Sequence, residues 1–171
     1  MSTRMALSRI TVAAAALAVA VLAAPQAVAV DKPEVSFTAD ADAATRALAQ
    51  EDPAAAVAAA TVCGTGYALS KAVPLPLGTD PQLRLATLFA YENGGKGCAI
   101  LDNNFGASQY MSLKVCKVDG TGCDSDTGNF SSYAGPVYVS SFACAPVTAK
   151  MGETSSSLYI NYKSDRIFPC G

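Results

Sequence analysis

The sequence predicts a small all-β domain, an antiparallel β-sandwich or open barrel stapled by disulfide bonds and preceded by a flexible or weakly helical leader. Three observations carry this prediction. Apolar and polar residues alternate over several short segments, which is the period of a half-buried strand. Glycine, proline and asparagine separate these segments at short intervals. All six cysteines lie after residue 62, and an even number of cysteines in a small exported chain indicates a disulfide framework.

Residues 1–29 have the features of a secretory signal peptide. Arg4 and Arg9 give a positive start, an uncharged apolar run follows, and Ala27 and Ala29 occupy the small-residue positions that signal peptidase reads. The apolar run is shorter than the roughly 20 residues that a membrane-spanning helix needs. The sequence therefore predicts cleavage after Ala29, secretion, and no membrane span.

Residues 30–62 are predicted to be a leader or linker that is either mobile or removed as a pro-segment. This segment is rich in alanine and acidic residues and contains no cysteine or glycine. A short helix is expected over residues 42–51, with Asp40 or Asp42 as its N-cap and Pro53 ending it. The apolar face of that helix is mostly alanine, which buries little area.

The β domain is predicted to span residues 63–171, the size of one small domain. No long stretch of it has helical spacing, so we expect strands throughout. Seven tyrosines fall in this domain, and most are expected to cover sheet faces. The segments with a strand-like pattern are residues 67–73, 83–91, 98–101, 111–115, 137–139 and 158–163.

One disulfide bond can be predicted from local spacing. Cys116 and Cys123 flank a short loop with two glycines, where the two arms of a hairpin would face each other. We therefore predict that these two cysteines bond to each other. A metal site is disfavoured as the use of the cysteines, because the chain has no C-x-x-C pair and no histidine.

The other four cysteines leave three pairings open. If the first three strands form an up-down-up meander, Cys63 and Cys98 fall at the same end of the sheet. Cys144 and Cys170 are then left for each other.

The stretch DSDTGNFSSYAGPVYV, residues 124–139, could be a metal loop, an active-site floor or a turn. A helix–loop–helix calcium site needs glycine at its sixth position and a bidentate acid at its twelfth. Counted from Asp124, the sixth residue is asparagine and the twelfth is Gly135, so the pattern fails. The sequence favours a turn in which Asp124 and Asp126 accept backbone N–H bonds before a strand begins near Val137.

Catalysis by this stretch is also disfavoured. Paired carboxylates would require an acid such as Glu92 or Asp102 to face Asp124 or Asp126 across a cleft, and nothing in the sequence places one there. Nucleophilic triads of the Ser-His-Asp or Cys-His type require histidine. We therefore expect a non-enzymatic protein without a cofactor or catalytic metal.

Four motifs of the β domain resemble the spore-associated protein A family, which are small exported actinobacterial proteins. The motifs are CGTGY at residues 63–67, GKGCAI at 95–100, the stretch 124–139, and the terminal PCG. The family pattern has four cysteines, so Cys116 and Cys123 are an additional pair, consistent with their bonding to each other. The resemblance implies secretion and association with the surface of spores or aerial hyphae. It implies no catalytic residues, because the family has no well-defined activity.

The leading hypothesis is therefore a secreted, non-enzymatic structural protein associated with the spore or hypha surface, with cell-wall or spore-surface components or glycans as partners. Basic and acidic residues are equal in number from residue 63 onward, so no basic patch predicts a nucleic-acid partner. The oligomeric state is not predicted.

Two alternatives belong to other classes. A carbohydrate-binding module would use tyrosine rings for stacking and polar side chains for hydrogen bonds. A secreted hydrolase inhibitor, ranked below it, would present the crosslinked loop 117–122 as a rigid binding element. The candidate binding surface of the first alternative consists of Tyr91, Tyr110, Asp124, Asp126, Asn129, Tyr133 and Tyr138.

Overall fold

The computed structural model describes residues 33–170. Its strands form two four-stranded antiparallel sheets that share a buried apolar core. The predicted fold class is therefore confirmed, in the form of a β-sandwich. The predicted signal peptide, residues 1–29, lies outside the described residues. Among the residues that are described, no helix is long and apolar enough to cross a membrane.

Within residues 33–170, two helices precede eight strands. A single 3₁₀ turn, Pro81–Leu83, lies between the first two strands. The elements are α1 (Ala43–Glu51), α2 (Pro53–Cys63), β1 (Ala68–Leu75), β2 (Ala86–Asn93), β3 (Lys96–Asn103), β4 (Gln109–Val115), β5 (Asp124–Phe130), β6 (Tyr133–Ser140), β7 (Val147–Thr154) and β8 (Ser157–Ser164).

The first sheet has the strand order β1-β2-β3-β6. Strands β1 to β3 form the predicted up-down-up meander, in which each strand pairs antiparallel with the next. Gly94 and Gly95 make the tight turn between β2 and β3 with φ angles of 52° and 84°. Two-residue hairpin turns require such positive angles, which glycine adopts without steric cost. The predicted strand over 83–91 begins only at Ala86, because the 3₁₀ turn occupies the preceding residues.

The second sheet has the order β5-β4-β7-β8. Strands β4 and β8 match the predicted alternation, whereas β5 and β7 were not predicted. The prediction of a turn over Asp124–Phe130 is wrong, because this polar segment pairs with β4 along its whole length. Pairing with a neighbouring strand thus overrides the low strand propensity of aspartate, glycine and asparagine.

The two helices begin at aspartate caps. The backbone N–H of Thr45 donates to Asp42 Oδ1 at 2.7 Å, so Asp42 is the N-cap of α1, one of the two expected candidates. Asp42 also accepts a hydrogen bond from Lys71 on β1, which is the main reason that its pKa is lowered to about 2. Pro53 was expected to end the helical segment. Helix α1 does end before it, at Glu51. Pro53 also begins α2, because a proline is favourable at the first helical position, where no N–H is needed.

The described part of the predicted leader, residues 33–62, forms a helical layer on the first sheet. Leu48, Ala49, Ala56 and Ala59 are buried against the outer face of this sheet. The small side chains of the three alanines let both helices approach the strands closely. The described residues all belong to one compact unit. Removal of residues 30–62 stays a prediction.

The main core lies between the two sheets. Its members come from alternate positions of nearly every strand, as expected for facing sheets. Burying each large apolar side chain contributes roughly 1.5–3 kcal/mol. The largest fully buried members of this core are Leu75, Leu88, Leu101, Met111, Leu113, Met151, Ile160 and Phe168.

Candidate functional site

Three disulfide bonds fix the ends of the elements that surround the candidate sites. They join Cys63 at the end of α2 to Cys98 in β3, Cys116 to Cys123 across the loop between β4 and β5, and Cys144 after β6 to Cys170 near the C-terminus. These are the three pairs that the sequence analysis predicted, and the described residues include no free cysteine.

Asp124 and Asp126 connect the two sheets at one edge of the sandwich. Asp124 Oδ2 accepts from the backbone N–H of Tyr138, and Asp126 Oδ2 accepts from that of Gly135, both at 2.8 Å. The donors belong to β6, the edge strand of the first sheet, whereas both carboxylates belong to β5, the edge strand of the second. The carboxylates thus satisfy edge N–H groups that have no strand partner. The two carboxylates accept hydrogen bonds from backbone N–H groups, as predicted, but the donors lie on the facing strand β6 and not in a turn.

Removing the Asp126 carboxylate should destabilise this edge. We expect Asp126→Ala to lower the free energy of unfolding by about 1–3 kcal/mol, because the Gly135 N–H loses its charged acceptor in a partly buried place. Asp126→Asn keeps an acceptor oxygen and should lose less. Urea unfolding of both variants measures the difference, and equal stability of Asp126→Ala and the wild type would refute this role.

Two of the seven residues of the candidate glycan surface, Tyr91 and Tyr110, lie apart from the other five. Tyr91 is fully buried in the core beneath α2, and its hydroxyl donates to Ala56 O at 2.6 Å. Burial raises the pKa of Tyr91. This ring therefore stabilises the contact between the helices and the first sheet, and it offers no surface to a ligand.

The other tyrosines of that set lie on both sheets. Tyr110 pairs with Asn129 across β4 and β5 in the second sheet. Tyr133 and Tyr138 lie on β6 with 36% and 41% of their surface exposed. Asn129 and Tyr133 line a common cavity of about 400 Å³ between the edge strands β5 and β6. The structure thus brings five of the seven predicted residues to the edge formed by these two strands, namely Asp124, Asp126, Asn129, Tyr133 and Tyr138.

A groove that was not predicted lies beside Tyr138. The rings of Tyr67 and Tyr138 have centroids 6.4 Å apart, and Lys96 lies beside them at a cavity of about 350 Å³. The Tyr138 hydroxyl donates to Cys63 O at 3.2 Å, which fixes this ring. The predicted Cys63–Cys98 bond could have revealed this groove. Tyr67 and Lys96 lie close in sequence to these two cysteines, so the bond brings them near each other.

The crosslinked loop 117–122 is exposed and internally hydrogen-bonded. The Lys117 N–H donates to Thr121 O at 2.9 Å, and the Gly120 N–H donates to Lys117 O at 2.8 Å. Asp119 accepts from the side chain and backbone of Thr121, which lowers the pKa of Asp119. Val118 is 67% exposed. The loop is thus a preformed surface element, as the inhibitor hypothesis requires.

Asp102 has the most perturbed carboxyl group outside these regions. Burial raises its pKa to about 6, although Asn104 Nδ2 donates to Asp102 Oδ2 at 2.9 Å and opposes the shift. Asn104 Oδ1 in turn accepts from the hydroxyl of Thr87 at 2.7 Å. The group lies on β3 opposite Tyr133 of β6. The carboxylates of Asp124 and Asp126 accept hydrogen bonds from backbone N–H groups of β6, whereas that of Asp102 accepts one from Asn104.

Asp102 should make stability depend on pH. Its folded pKa lies above the ordinary value of 3.8, so the stability it contributes is fully present below about pH 4 and is lost as pH rises through about 6. Relative to Asp102→Asn, the wild type should lose about 1–2 kcal/mol between pH 4 and pH 7, allowing for solvent screening. Urea titrations at several pH values measure this, and parallel pH profiles would contradict it.

Comparison with known proteins gives one significant similarity. No protein-family model matches the chain, and no solved structure matches it with significance. The chain is 36% identical to "Spore-associated protein A" of Streptomyces coelicolor over 80 residues, which are 46% of this chain and 49% of the relative. The chain thus spans about half the length of the curated relative that it matches. The resemblance to the spore-associated protein A family, which the motifs predicted, is confirmed over that part of the chain.

Proposed function

We propose that this chain is a secreted protein that associates with the surface of spores or aerial hyphae and acts there as a structural, non-enzymatic component. The observation that carries the proposal is the similarity to spore-associated protein A. Three disulfide bonds support an extracellular location, because such bonds persist in oxidising compartments. The hydrogen bonds of Asp124 and Asp126 support a structural use of the carboxylates that were the first candidates for catalysis.

Fractionation of a sporulating culture tests this proposal. Washed spores, aerial hyphae and culture medium are probed for the chain by immunoblot and by immunogold labelling of intact cells. As a control, the same signal peptide directs an unrelated disulfide-bonded domain to the medium. We expect the chain to be enriched on the washed surfaces and the control to stay in the medium. Recovery of the chain only from the medium would refute the proposal.

Carbohydrate binding is a second candidate, because the groove at Tyr67 and Tyr138 has features that a sugar site needs. Two neighbouring rings and one ammonium group border an open cavity, and aromatic rings supply stacking surface for sugars. We expect Tyr138→Ala to weaken binding of N-acetylglucosamine oligomers about tenfold, whereas Tyr110→Ala on the other sheet should not. Because the chain has no tryptophan, tyrosine fluorescence can follow the titration. Absence of binding by the wild type would eliminate this candidate.

A further inference from the structure

The outer face of the second sheet differs from that of the first, because α1 and α2, the helices of residues 33–170, pack on the first sheet. Alternate residues of β4, β5, β7 and β8 point away from the core. In this outward set, Lys114 and Lys163 are exposed and Lys150 is half-buried. Tyr110, Asn129 and Asn161 lie on the same face. We call this set of six residues the lysine face.

Strand register brings the three lysines together. Lys114 of β4 and Lys163 of β8 both pair with Thr148 of β7, so they flank it in one row across the sheet. With strands about 4.8 Å apart, their backbone positions are roughly 10 Å apart. Lys150 lies two residues farther along β7, about 7 Å from that row. The backbone positions of the three lysines therefore form a triangle on this side of the sheet.

The lysine face is positively charged within a chain whose net charge is −2. On β5, Asp124 and Asp126 point to the opposite side of the sheet, toward β6. Two exposed acidic residues, Glu153 of β7 and Asp165 directly after β8, lie at the ends of their strands. None of the three lysines forms an ion pair with a carboxylate in the described part of the chain, in contrast to Lys71, which pairs with Asp42. Three uncompensated ammonium groups are thus available to an anion.

We propose that the lysine face binds an anionic glycopolymer that carries repeated phosphodiester groups, a surface component that would hold the chain on the cell wall or spore. This inference rests on the proposed function and names its partner. A row of cations about 10 Å wide on an open face fits the repeated charges of a polymer better than a single small ion. Asn129 and Asn161 add hydrogen-bonding groups suited to sugar hydroxyls.

The chemistry of the face distinguishes this partner from two other polyanions. The two-pronged guanidinium of arginine matches planar carboxylates and phosphates alike, and the lysine face contains none. Its lysine ammonium groups are compact point charges, which bind phosphate without needing a planar, two-pronged partner. Single-stranded nucleic acids are bound by several aromatic platforms along a charged groove. The lysine face has one aromatic ring, Tyr110. A phosphodiester-linked glycopolymer is therefore favoured over a uronic-acid polymer or a nucleic acid.

Binding of the purified secreted chain to four immobilised polymers tests the inference. The probes are poly(glycerol phosphate), polygalacturonate, single-stranded oligonucleotide and dextran. We expect the tightest binding to poly(glycerol phosphate), with an affinity that falls on the order of tenfold between 50 and 200 mM salt, as displacement of about three counterions predicts. Lys114→Gln/Lys163→Gln should weaken this binding at least tenfold. The matched control Lys71→Gln/Arg166→Gln has the same net charge, but its two residues border a different cavity beside Asp42, so it should stay within twofold of the wild type.

Several outcomes would overturn the inference. They are the absence of binding to poly(glycerol phosphate), equal losses in the two double variants, and binding of polygalacturonate or oligonucleotide that is as tight or tighter. Circular dichroism of both variants shows whether they are folded. Failure here is distinguishable from failure of the proposed function: a chain that remains on washed spores without binding the polymer refutes only the inference. A chain that binds the polymer but occurs only in the medium refutes only the surface role.

Discussion

Replacing Cys63 and Cys98 together by alanine should lower the free energy of unfolding by about 4 kcal/mol, the largest loss that we expect from any of the three bonds. This bond closes a loop of sequence separation 35, and loop-closure entropy grows with the length of the loop. Both cysteines are also buried, at 5% and 0% exposure. Their bond attaches the end of α2 to the first sheet, so its loss should loosen the helical layer as well.

The bond between Cys116 and Cys123 provides the control. Its sequence separation is only 7, so the same relation gives a loss of about 2 kcal/mol for Cys116→Ala/Cys123→Ala. Urea unfolding, with the slope compared between variants, measures both losses. If the short-loop pair proved the more important of the two, the role assigned to the Cys63–Cys98 bond would be wrong.

Gly152→Ala should cost about 3 kcal/mol, because the new methyl group would collide with backbone. A Cβ at this position would lie 2.1 Å from Ser157 O and 2.8 Å from Leu158 Cα. These atoms belong to the paired strand β8, next to an irregularity in the register between Met151 and Gly152. The β7–β8 hairpin would have to separate to accommodate the substitution, which would also disturb the lysine face on its outer side.

Gly128→Ala is a matched control within the same sheet. The added Cβ would lie 3.0 Å from Phe130 Cζ, the far end of a partly buried side chain that can shift. We therefore expect a loss of about 1 kcal/mol or less. Thermal unfolding of the two variants compares them directly. Similar melting temperatures for both would show that β7 and β8 are less tightly paired than the structure indicates.

Periodicity predicted those strands whose two faces differ in polarity. Met111, Leu113 and Val115 alternate with polar residues, and the structure places these three in the core of the sandwich. Strand β5 was missed because its aspartates, glycine and asparagine are typical of turns. Its strand conformation depends on pairing with β4 and on hydrogen bonds to β6, and neither contact is encoded locally.

The helical layer was predicted only in part, since α1 has a cap and a recognisable stop whereas α2 is largely alanine. An alanine helix has almost no amphipathic signal, yet Ala56 and Ala59 are buried against the sheet. The alanines allow α2 to pack close to the strands. This role cannot be predicted until the sheet surface that faces the helix is known.

The candidate sites were harder to predict than the fold, because strand pairing brings together residues that are far apart in the sequence. The sequence shows balanced charge after residue 62, which argued against a basic patch. The structure separates those charges, because Lys114 and Lys163 are brought to one face through their common neighbour Thr148. No local pattern relates residues so far apart in the chain. The groove at Tyr67 and Tyr138 likewise required the Cys63–Cys98 pairing to be known.

Retention of the secreted chain on washed spores at low and high salt tests the central claim most directly. We expect wild-type chain to remain on the spores at low salt and to be released at high salt, since salt screens charges on an exposed face. Lys114→Gln/Lys163→Gln should already appear in the medium at low salt. A chain that stays on the spores at high salt whatever its lysines, or that never associates with them, would contradict the account.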